Sequence, residues 1–225
     1  LEIAIEKGVS LVAYPELCVT SSTCGDLFSQ ELLIKMAENA ISSIVEISKK
    51  EDITIVAGAP VRCGGRLYDC AVVIKDGTVK GIVPKIYLSL TDSRNFSSGR
   101  DFLTYENSGK CIEYAGCETY ISPNQIFHIG DTSFAVELGE DLSAAIPPSS
   151  FHSMAGAEII VNISAESEVL TKDIYKKKLI QAQSSRCCCS YIYCSSGYGE
   201  STQDGVYAGT AMIYENGNIL SENKR

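Results

Sequence analysis

Charged side chains follow apolar runs at several points of this 225-residue chain. Glu16 comes after the run Val9–Tyr14 and Pro15, and Lys85 comes after Ile82-Val83-Pro84. A partly desolvated carboxylate at a strand end suits a general base, because burial moves its pKa towards neutrality. A lysine ammonium there can stabilise a developing oxyanion. Each residue also has a plainer interpretation: a surface-loop glutamate, or a lysine whose stem lies along apolar surface.

Two further runs end in polar residues. Val136-Glu137-Leu138-Gly139-Glu140-Asp141 is a strand-like segment that ends in a glycine and two acids, and without more context it predicts only a turn. Asn162-Ile163-Ser164-Ala165-Glu166 is a second strand-like segment of this kind. Strand ends that converge on one edge of a sheet are where α/β folds usually build a site.

Periodicity predicts the elements that must position these residues. Apolar residues recur at helical spacing over about Gln30–Lys50 and Lys172–Cys188, and Pro147-Pro148-Ser149-Ser150 starts a short helix. The predicted strands are Val9–Tyr14, Ile53–Pro60, Leu67–Lys75, Val79–Val83, Gln125–Ile129, Ser133–Leu138, Glu158–Ile163, Ser190–Ser195, Gly209–Tyr214 and Ile219–Glu222.

Glycine-containing pairs predict the turns between strands. Gly64-Gly65, Asp76-Gly77 and Asn216-Gly217 each indicate a hairpin. The segment Ser89–Asn124 is less regular and predicts a long surface loop region. Strands that alternate with helices and hairpins indicate one layered α/β domain, with sheets covered by helices and no internal boundary.

Composition narrows the class of protein. Hydrophobic residues make up 45% of the chain and charged residues 21%, as in a packed globular protein. The 28 acidic and 19 basic residues give a formal charge of −9, which argues against nucleic-acid binding. Lys176-Lys177-Lys178 is the only basic run, and its helical context predicts a solvated face. No apolar run reaches the length of a membrane span.

The ten cysteines predict free thiols rather than a disulfide scaffold, because the chain is long and apolar. Cys187-Cys188-Cys189 point to different faces of a helix, and neither His128 nor His152 has a partner at zinc-ligand spacing. We therefore expect no metal and a reducing, cytoplasmic location. The opening Leu1–Glu6 looks like the middle of a helix, so we expect a segment upstream.

Four longer motifs stand out in the sequence. They are Leu11–Thr20 with Thr23–Phe28, Gly81–Leu88, Glu140-Asp141-Leu142 with Ile146–Ser150, and Gly199-Glu200-Ser201-Thr202. Together they resemble the nitrilase, or carbon–nitrogen hydrolase, superfamily. The resemblance is closest to the N-terminal glutaminase domain of glutamine-dependent NAD synthetases, and it covers essentially the whole chain. It implies a four-layer α-β-β-α sandwich in one domain, residues 1–225, truncated at both ends.

The resemblance also implies a reaction. In the family a cysteine thiolate attacks the side-chain amide of glutamine, a glutamate carries the proton, and a lysine steadies the oxyanion before a thioester hydrolyses. The ammonia passes to a second, ATP-using domain that amidates the adenylated nicotinic acid dinucleotide. Glu16 matches the glutamate and Lys85 the lysine. The cysteine position is Gly139, which has no side chain to attack a carbonyl.

Other departures fall on positions that face substrate in the family. Thr91 stands near a usual tyrosine, and Ser98 stands where a second glutamate is usual. Glu166 replaces a substrate-holding serine, and Ser143 replaces a common tryptophan. Lys172 keeps the cation that usually grips the substrate carboxylate.

Three hypotheses follow. The chain is a glutaminase-like domain that has lost amidase activity and supports an ATP-dependent NAD synthetase domain, in the same chain or as a partner. In the second hypothesis, the chain is an active enzyme whose nucleophile was changed by engineering. In the third, it is a non-catalytic ligand-binding or regulatory module on the same scaffold. We expect a glutamine-like small molecule as ligand, a homo-oligomer, and no cofactor in this domain. No Ser-Gly-Gly-type ATP pyrophosphatase loop occurs, so NAD synthesis itself lies elsewhere.

Overall fold

Two six-stranded β-sheets form the centre of the fold. The computed structural model describes residues 1–104, 107–201 and 205–223. The helices are α1 (Glu2–Glu6), α2 (Glu31–Ser48), α3 (Pro148–Met154) and α4 (Lys172–Cys187). The strands are β1 (Leu11–Ala13), β2 (Thr54–Cys63), β3 (Arg66–Lys75), β4 (Thr78–Pro84), β5 (Lys110–Tyr114), β6 (Cys117–Ile121), β7 (Phe127–Ile129), β8 (Thr132–Leu138), β9 (Ile159–Ser164), β10 (Ser190–Ser195), β11 (Ala211–Glu215) and β12 (Asn218–Glu222).

Strand order brings the predicted site residues to neighbouring strand ends. The first sheet runs β1-β2-β3-β4-β6-β5, and the second runs β12-β11-β10-β9-β8-β7. In the first sheet β1 pairs in parallel with β2. In the second, β8, β9 and β10 are mutually parallel, so the carboxyl ends of β8 and β9 lie side by side.

Three apolar clusters show that the fold has four layers. Ile41 of α2 packs with Ile55 and the outer face of the first sheet. The inner faces of the two sheets meet through residues such as Val73 and Val136. Ile180 of α4 packs with Tyr191 on the outer face of the second sheet. The predicted α-β-β-α sandwich is therefore confirmed.

The predicted hairpin turns are confirmed by their backbone. Asp76-Gly77 and Asn216-Gly217 have positive φ at both residues, as the two-residue turns of twisted hairpins require. The prediction that Ser89–Asn124 is a surface loop region was wrong, because β5 and β6 form a hairpin inside it. Their turn is Ala115-Gly116, also with positive φ at both residues. Alanine rarely adopts that conformation, so the turn carried no sequence signal.

The basic run on α4 is only partly a solvated face. Lys178 is exposed, but Lys176 is 4% exposed and lies 3.5 Å from Glu168 and 5.2 Å from the ring centroid of Tyr193. The prediction for Lys176 was therefore wrong, since acidic partners and an aromatic ring compensate its burial. All ten cysteines are free. Across the described ranges, no helix is both long enough and apolar enough to cross a membrane.

Candidate functional site

A cavity of about 230 Å³ lies where the strand ends converge. Five of the predicted site residues line it together: Glu16, Lys85, Thr91, Glu166 and Lys172. The structure thus brings together residues up to 156 positions apart in the chain, from Glu16 to Lys172. Asp92, Glu140, Ser89, Ser167 and Tyr207 complete much of its wall.

Lys85 is the buried cation of the cavity. It follows β4 directly, and its side chain is 2% exposed. Its Nζ lies 2.6 Å from Glu16 Oε1, 2.9 Å from Asp92 Oδ2 and 2.5 Å from Glu140 Oε2. Burial acts to lower the pKa of Lys85, but Glu16 and then the other carboxylates raise it well above its ordinary value. Lys85 therefore remains an ammonium that can hold an anion and cannot act as a base.

Glu16 is the buried carboxylate opposite Lys85. It is 3% exposed, and its Oε2 accepts a hydrogen bond of 3.0 Å from the backbone N–H of Ala165, which follows β9. This second contact holds the carboxylate between the two sheets. Glu16 is therefore placed to exchange a proton with a group bound beside Lys85.

Asp69 and Asp92 are two acidic residues of the site that the sequence analysis missed. Asp69 lies on β3 and is 1% exposed, and its pKa is raised well above the ordinary value, first by burial and then by the charge of Glu16. Its environment behind Glu16 therefore favours the protonated acid. Burial also acts to raise the pKa of Asp92, but Lys85 outweighs it and the net pKa is lowered. An acid inside the apolar run of β3 was a usable sequence signal for Asp69.

Gly139 begins a short 3₁₀ turn directly after β8, with φ of +44°. A Cβ added there would lie 2.8 Å from Glu16 Oε2 and 3.2 Å from Lys85 Nζ. A side chain at this position would therefore enter the contact between the acid and the ammonium. That direction suits a side chain that exchanges a proton with Glu16, and a φ of +44° would be strained for a residue with a Cβ. Glycine adopts this backbone without strain and places no side-chain atom there.

Asp141 connects the strand ends that carry Lys85 and Gly139. Its carboxylate accepts hydrogen bonds from the backbone N–H groups of Ile86 at 3.1 Å, Tyr87 at 2.7 Å and Leu138 at 3.2 Å. Burial raises the pKa of Asp141 to about 8, although the N–H donors of Tyr87 and Leu138 act in the opposite direction. This residue positions the site rather than facing the cavity.

The predicted substrate-carboxylate end of the cavity is already neutralised. Lys172 lies 3.1 Å from Glu166 Oε2, and its Nζ donates to the backbone oxygen of Ser167 at 2.8 Å. Lys176 approaches the same Glu166 oxygen at 3.9 Å. Lys172 is therefore not available to a ligand carboxylate unless Glu166 moves.

The two remaining departures occupy different places. Ser98 does not line the cavity: its hydroxyl donates to the backbone oxygen of Ile86 at 2.5 Å and caps a short 3₁₀ helix through the N–H of Arg100. Ser143 is exposed and lines a smaller, adjoining cavity.

Oxygen atoms of Glu16, Asp92 and Glu140 lie within 4.8 Å of one another, which is close enough to share a metal ion. However, Lys85 Nζ contacts a carboxylate oxygen of each of the three. The lysine ammonium thus occupies the place of a counter-ion, and these residues do not fit a metal unless Lys85 is displaced.

Comparisons with known proteins identify the family of the chain. Residues 1–135 match the family model described as carbon–nitrogen hydrolase. The chain is 32% identical over 223 residues to the glutamine-dependent NAD(+) synthetase of Mycobacterium tuberculosis, covering 98% of this chain and 32% of that protein. A putative glutamine-dependent NAD(+) synthetase of Schizosaccharomyces pombe is 28% identical, with coverage of 97% and 32%. The chain thus spans about a third of the length of these relatives.

Solved structures of similar proteins have the same fold as this chain. A glutamine-dependent NAD(+) synthetase from Cytophaga hutchinsonii superposes with a TM-score of 0.84 at 27% identity, covering all of this chain and 36% of that one. An amidase from Nesterenkonia superposes with a TM-score of 0.77 at 16% identity, covering 98% and 75%. The family resemblance of the sequence motifs is therefore confirmed, and this chain belongs to the carbon–nitrogen hydrolase family.

Proposed function

We propose that residues 1–225 form the glutaminase-like domain of a glutamine-dependent NAD synthetase and that covalent amide hydrolysis has been lost from it. The position of residue 139 carries the proposal. Its missing Cβ points at Glu16 and Lys85, where a nucleophile belongs, and glycine puts only a hydrogen there. The similarity to NAD synthetases over nearly the whole chain supports the choice of family branch.

The chemistry of amide cleavage explains why Glu16 and Lys85 are not sufficient for covalent hydrolysis. Amide cleavage by this route requires a thiolate to attack the carbonyl carbon, after which ammonia leaves and water cleaves the thioester. Glu16 could accept the thiol proton and Lys85 could hold the oxyanion. With no thiol at Gly139, neither group has an attacking atom to activate or an oxyanion to stabilise.

The domain then serves a structural or regulatory role beside an ATP-dependent synthetase domain that draws on free ammonia. That synthetase domain belongs to the same chain or to a partner, and we propose a cytoplasmic homo-oligomer without a cofactor in this domain. The alternative of an engineered nucleophile change is disfavoured by Glu166, which neutralises Lys172. A change aimed at the nucleophile alone would leave the substrate end intact.

Ammonia release from glutamine tests the proposal. We expect background rates from the unaltered chain and from Gly139→Cys, because the new Cβ crowds Glu16 and Lys172 stays paired. The double variant Gly139→Cys with Glu166→Ser should recover more activity than either single change. Turnover by the unaltered chain would refute the loss of activity. Full recovery by Gly139→Cys alone would favour the engineered-change hypothesis instead.

A further inference from the structure

A separate, larger cavity lies next to the end of β4. It has a volume of about 450 Å³, which is within the range of small-molecule sites. Ile86 and Tyr87, the two residues after Lys85, line it, but none of its described lining residues also lines the cavity around Lys85. Phe151 and His152 of α3 form another side, so we call it the α3 cavity.

The α3 cavity has a buried floor and an apolar rim. Ile86 and His152 are 6% and 4% exposed, whereas Leu103, Ile146 and Phe151 are 45%, 57% and 58% exposed. This gradient is typical of a hollow that takes up a ligand body rather than of a flat patch. Within the described ranges no charged side chain lines the cavity, so an ionised ligand would lose hydration without gaining a partner.

Aromatic residues make up part of the wall. Tyr87, Phe151 and His152 all line the α3 cavity. The guanidinium carbon of Arg100 lies 4.7 Å from the centroid of the Tyr87 ring, and this cation–π contact holds the ring in place. Aromatic side chains gain from edge or stacked contacts with another ring. The wall therefore favours an aromatic ligand body over a purely aliphatic one.

His152 supplies an independent sign of a ligand, namely an unsatisfied hydrogen-bond acceptor. Its Nε2 lies 3.1 Å from the backbone oxygen of Pro123, and a carbonyl oxygen only accepts, so Nε2 carries the hydrogen. Burial lowers the pKa of His152 and keeps the ring neutral, although Glu137 acts in the opposite direction. Nδ1 is then an acceptor, and it has no hydrogen-bond partner in the part of the chain that the structure describes. An unpaired buried acceptor is unfavourable, so a ligand with a donor hydrogen is its natural partner.

We propose that the α3 cavity binds an uncharged aromatic molecule of the phenol class. The ring system lies between Tyr87 and Phe151, and its hydroxyl donates a hydrogen bond to Nδ1 of His152. A carboxylate or an ammonium on the ligand is disfavoured, because the lining offers neither a cation nor an anion to pair with it. This inference goes beyond the proposed function, since it concerns a different cavity.

Calorimetric titration of the whole chain at pH 7 tests the ligand class. The probes share one ring system and differ in one substituent: 2-naphthol donates a hydrogen bond, 2-methoxynaphthalene only accepts, and 2-naphthoate is charged. We expect 2-naphthol to bind at least about tenfold more tightly than the other two. Equal or tighter binding of either counterpart would overturn the inference, as would no detectable binding of 2-naphthol at millimolar concentration.

The hydrogen bond to His152 has its own test. In His152→Gln the amide can still donate to Pro123, but the acceptor Nδ1 is gone. This variant should bind 2-naphthol about tenfold more weakly and 2-methoxynaphthalene unchanged within about twofold. His128→Gln alters the other histidine, which is exposed and outside the cavity, and serves as the control. His152→Phe replaces the glutamine variant if that one fails to fold. Unchanged binding of 2-naphthol in the folded variants would overturn the inference.

Filling the cavity tests the place of binding. Ala155 lines the α3 cavity and is exposed, so Ala155→Phe should weaken 2-naphthol and 2-methoxynaphthalene alike, while Ala155→Ser leaves both unchanged. Unchanged binding in Ala155→Phe would overturn the assignment to this cavity. Sedimentation of the same variants identifies a second copy as the occupant: an oligomer that dissociates in Ala155→Phe, with no 2-naphthol binding by the parent chain, would also overturn it. Glutamine hydrolysis by the unaltered chain bears on the proposed function alone.

Discussion

Replacing Lys85 by methionine should destabilise the fold strongly. The change keeps an unbranched side chain, shorter by its terminal atom, and removes the cation that three carboxylates share at 2.6, 2.9 and 2.5 Å. At an effective dielectric constant of about 20, the contact with Glu16 alone corresponds to about 6 kcal/mol of attraction. Relief of the desolvation of Lys85 and proton uptake by the carboxylates offset part of this, so we expect a loss of about 3–5 kcal/mol.

The loss at Lys85→Met should grow with pH. Without the cation, the carboxylates repel one another, so the pKa values of Asp92 and Glu140 in the folded variant rise above the unfolded values near 4. The folded variant then holds protons that the unfolded chain releases, so its stability falls as pH rises through that interval. In the parent chain the pKa of Asp92 is lowered, so its stabilising contribution is present above about pH 4 and is lost below it.

Urea unfolding at pH 5 and pH 8, monitored by circular dichroism, measures the difference in free energy of unfolding between Lys85→Met and the parent chain. Lys7→Met is the control, since Lys7 is exposed. Adding Glu16→Gln to Lys85→Met should restore part of the stability, because it removes one of the opposed charges. A deficit below about 1 kcal/mol at pH 8, or one of equal size at both pH values, would refute the charge-cluster explanation.

Three further predictions concern neighbouring residues. Asp69→Asn should raise the free energy of unfolding above pH 7, because folded Asp69 retains a proton that the unfolded chain loses; urea titrations across pH would show a weaker fall of stability with pH than in the parent chain. Asp141 has a folded pKa of about 8, so stability should fall by up to about 1.4 kcal/mol per pH unit from about pH 4 to pH 8, and Asp141→Asn should remove that component. Gly139→Ala should cost more than Gly116→Ala in thermal unfolding, because both glycines have positive φ but only residue 139 crowds Glu16; equal losses would show that backbone strain alone is responsible.

The sequence was sufficient for the scaffold because its signals are local. Helical spacing predicts α2, and paired turn residues such as Asp76-Gly77 predict hairpins, without information from elsewhere in the chain. The turn at Ala115-Gly116 was not predicted, because its conformation depends on the strands around it rather than on a residue preference.

The part of the site that was predicted also depends on local sequence signals. Glu16, Lys85 and residue 139 belong to recognisable strand-end motifs, and the structure brings them together. Asp92 and Lys176 were missed although their partners are near in the sequence: Asp92 faces Lys85, seven residues away, and Lys176 on α4 contacts Glu168, eight residues away. Each contact spans an irregular segment, so no helical or strand periodicity marks it. Such pairings become visible only when the chain is folded.

The three backbone contacts of Asp141 have an evolutionary consequence. They align the end of β4 with the end of β8 through main-chain atoms, so the register of the site does not depend on the side chain at residue 139. Selection on folding and selection on chemistry therefore act on different residues. The side chain at residue 139 can therefore change, and with it the chemistry of the site, while the frame that aligns the two strand ends stays the same.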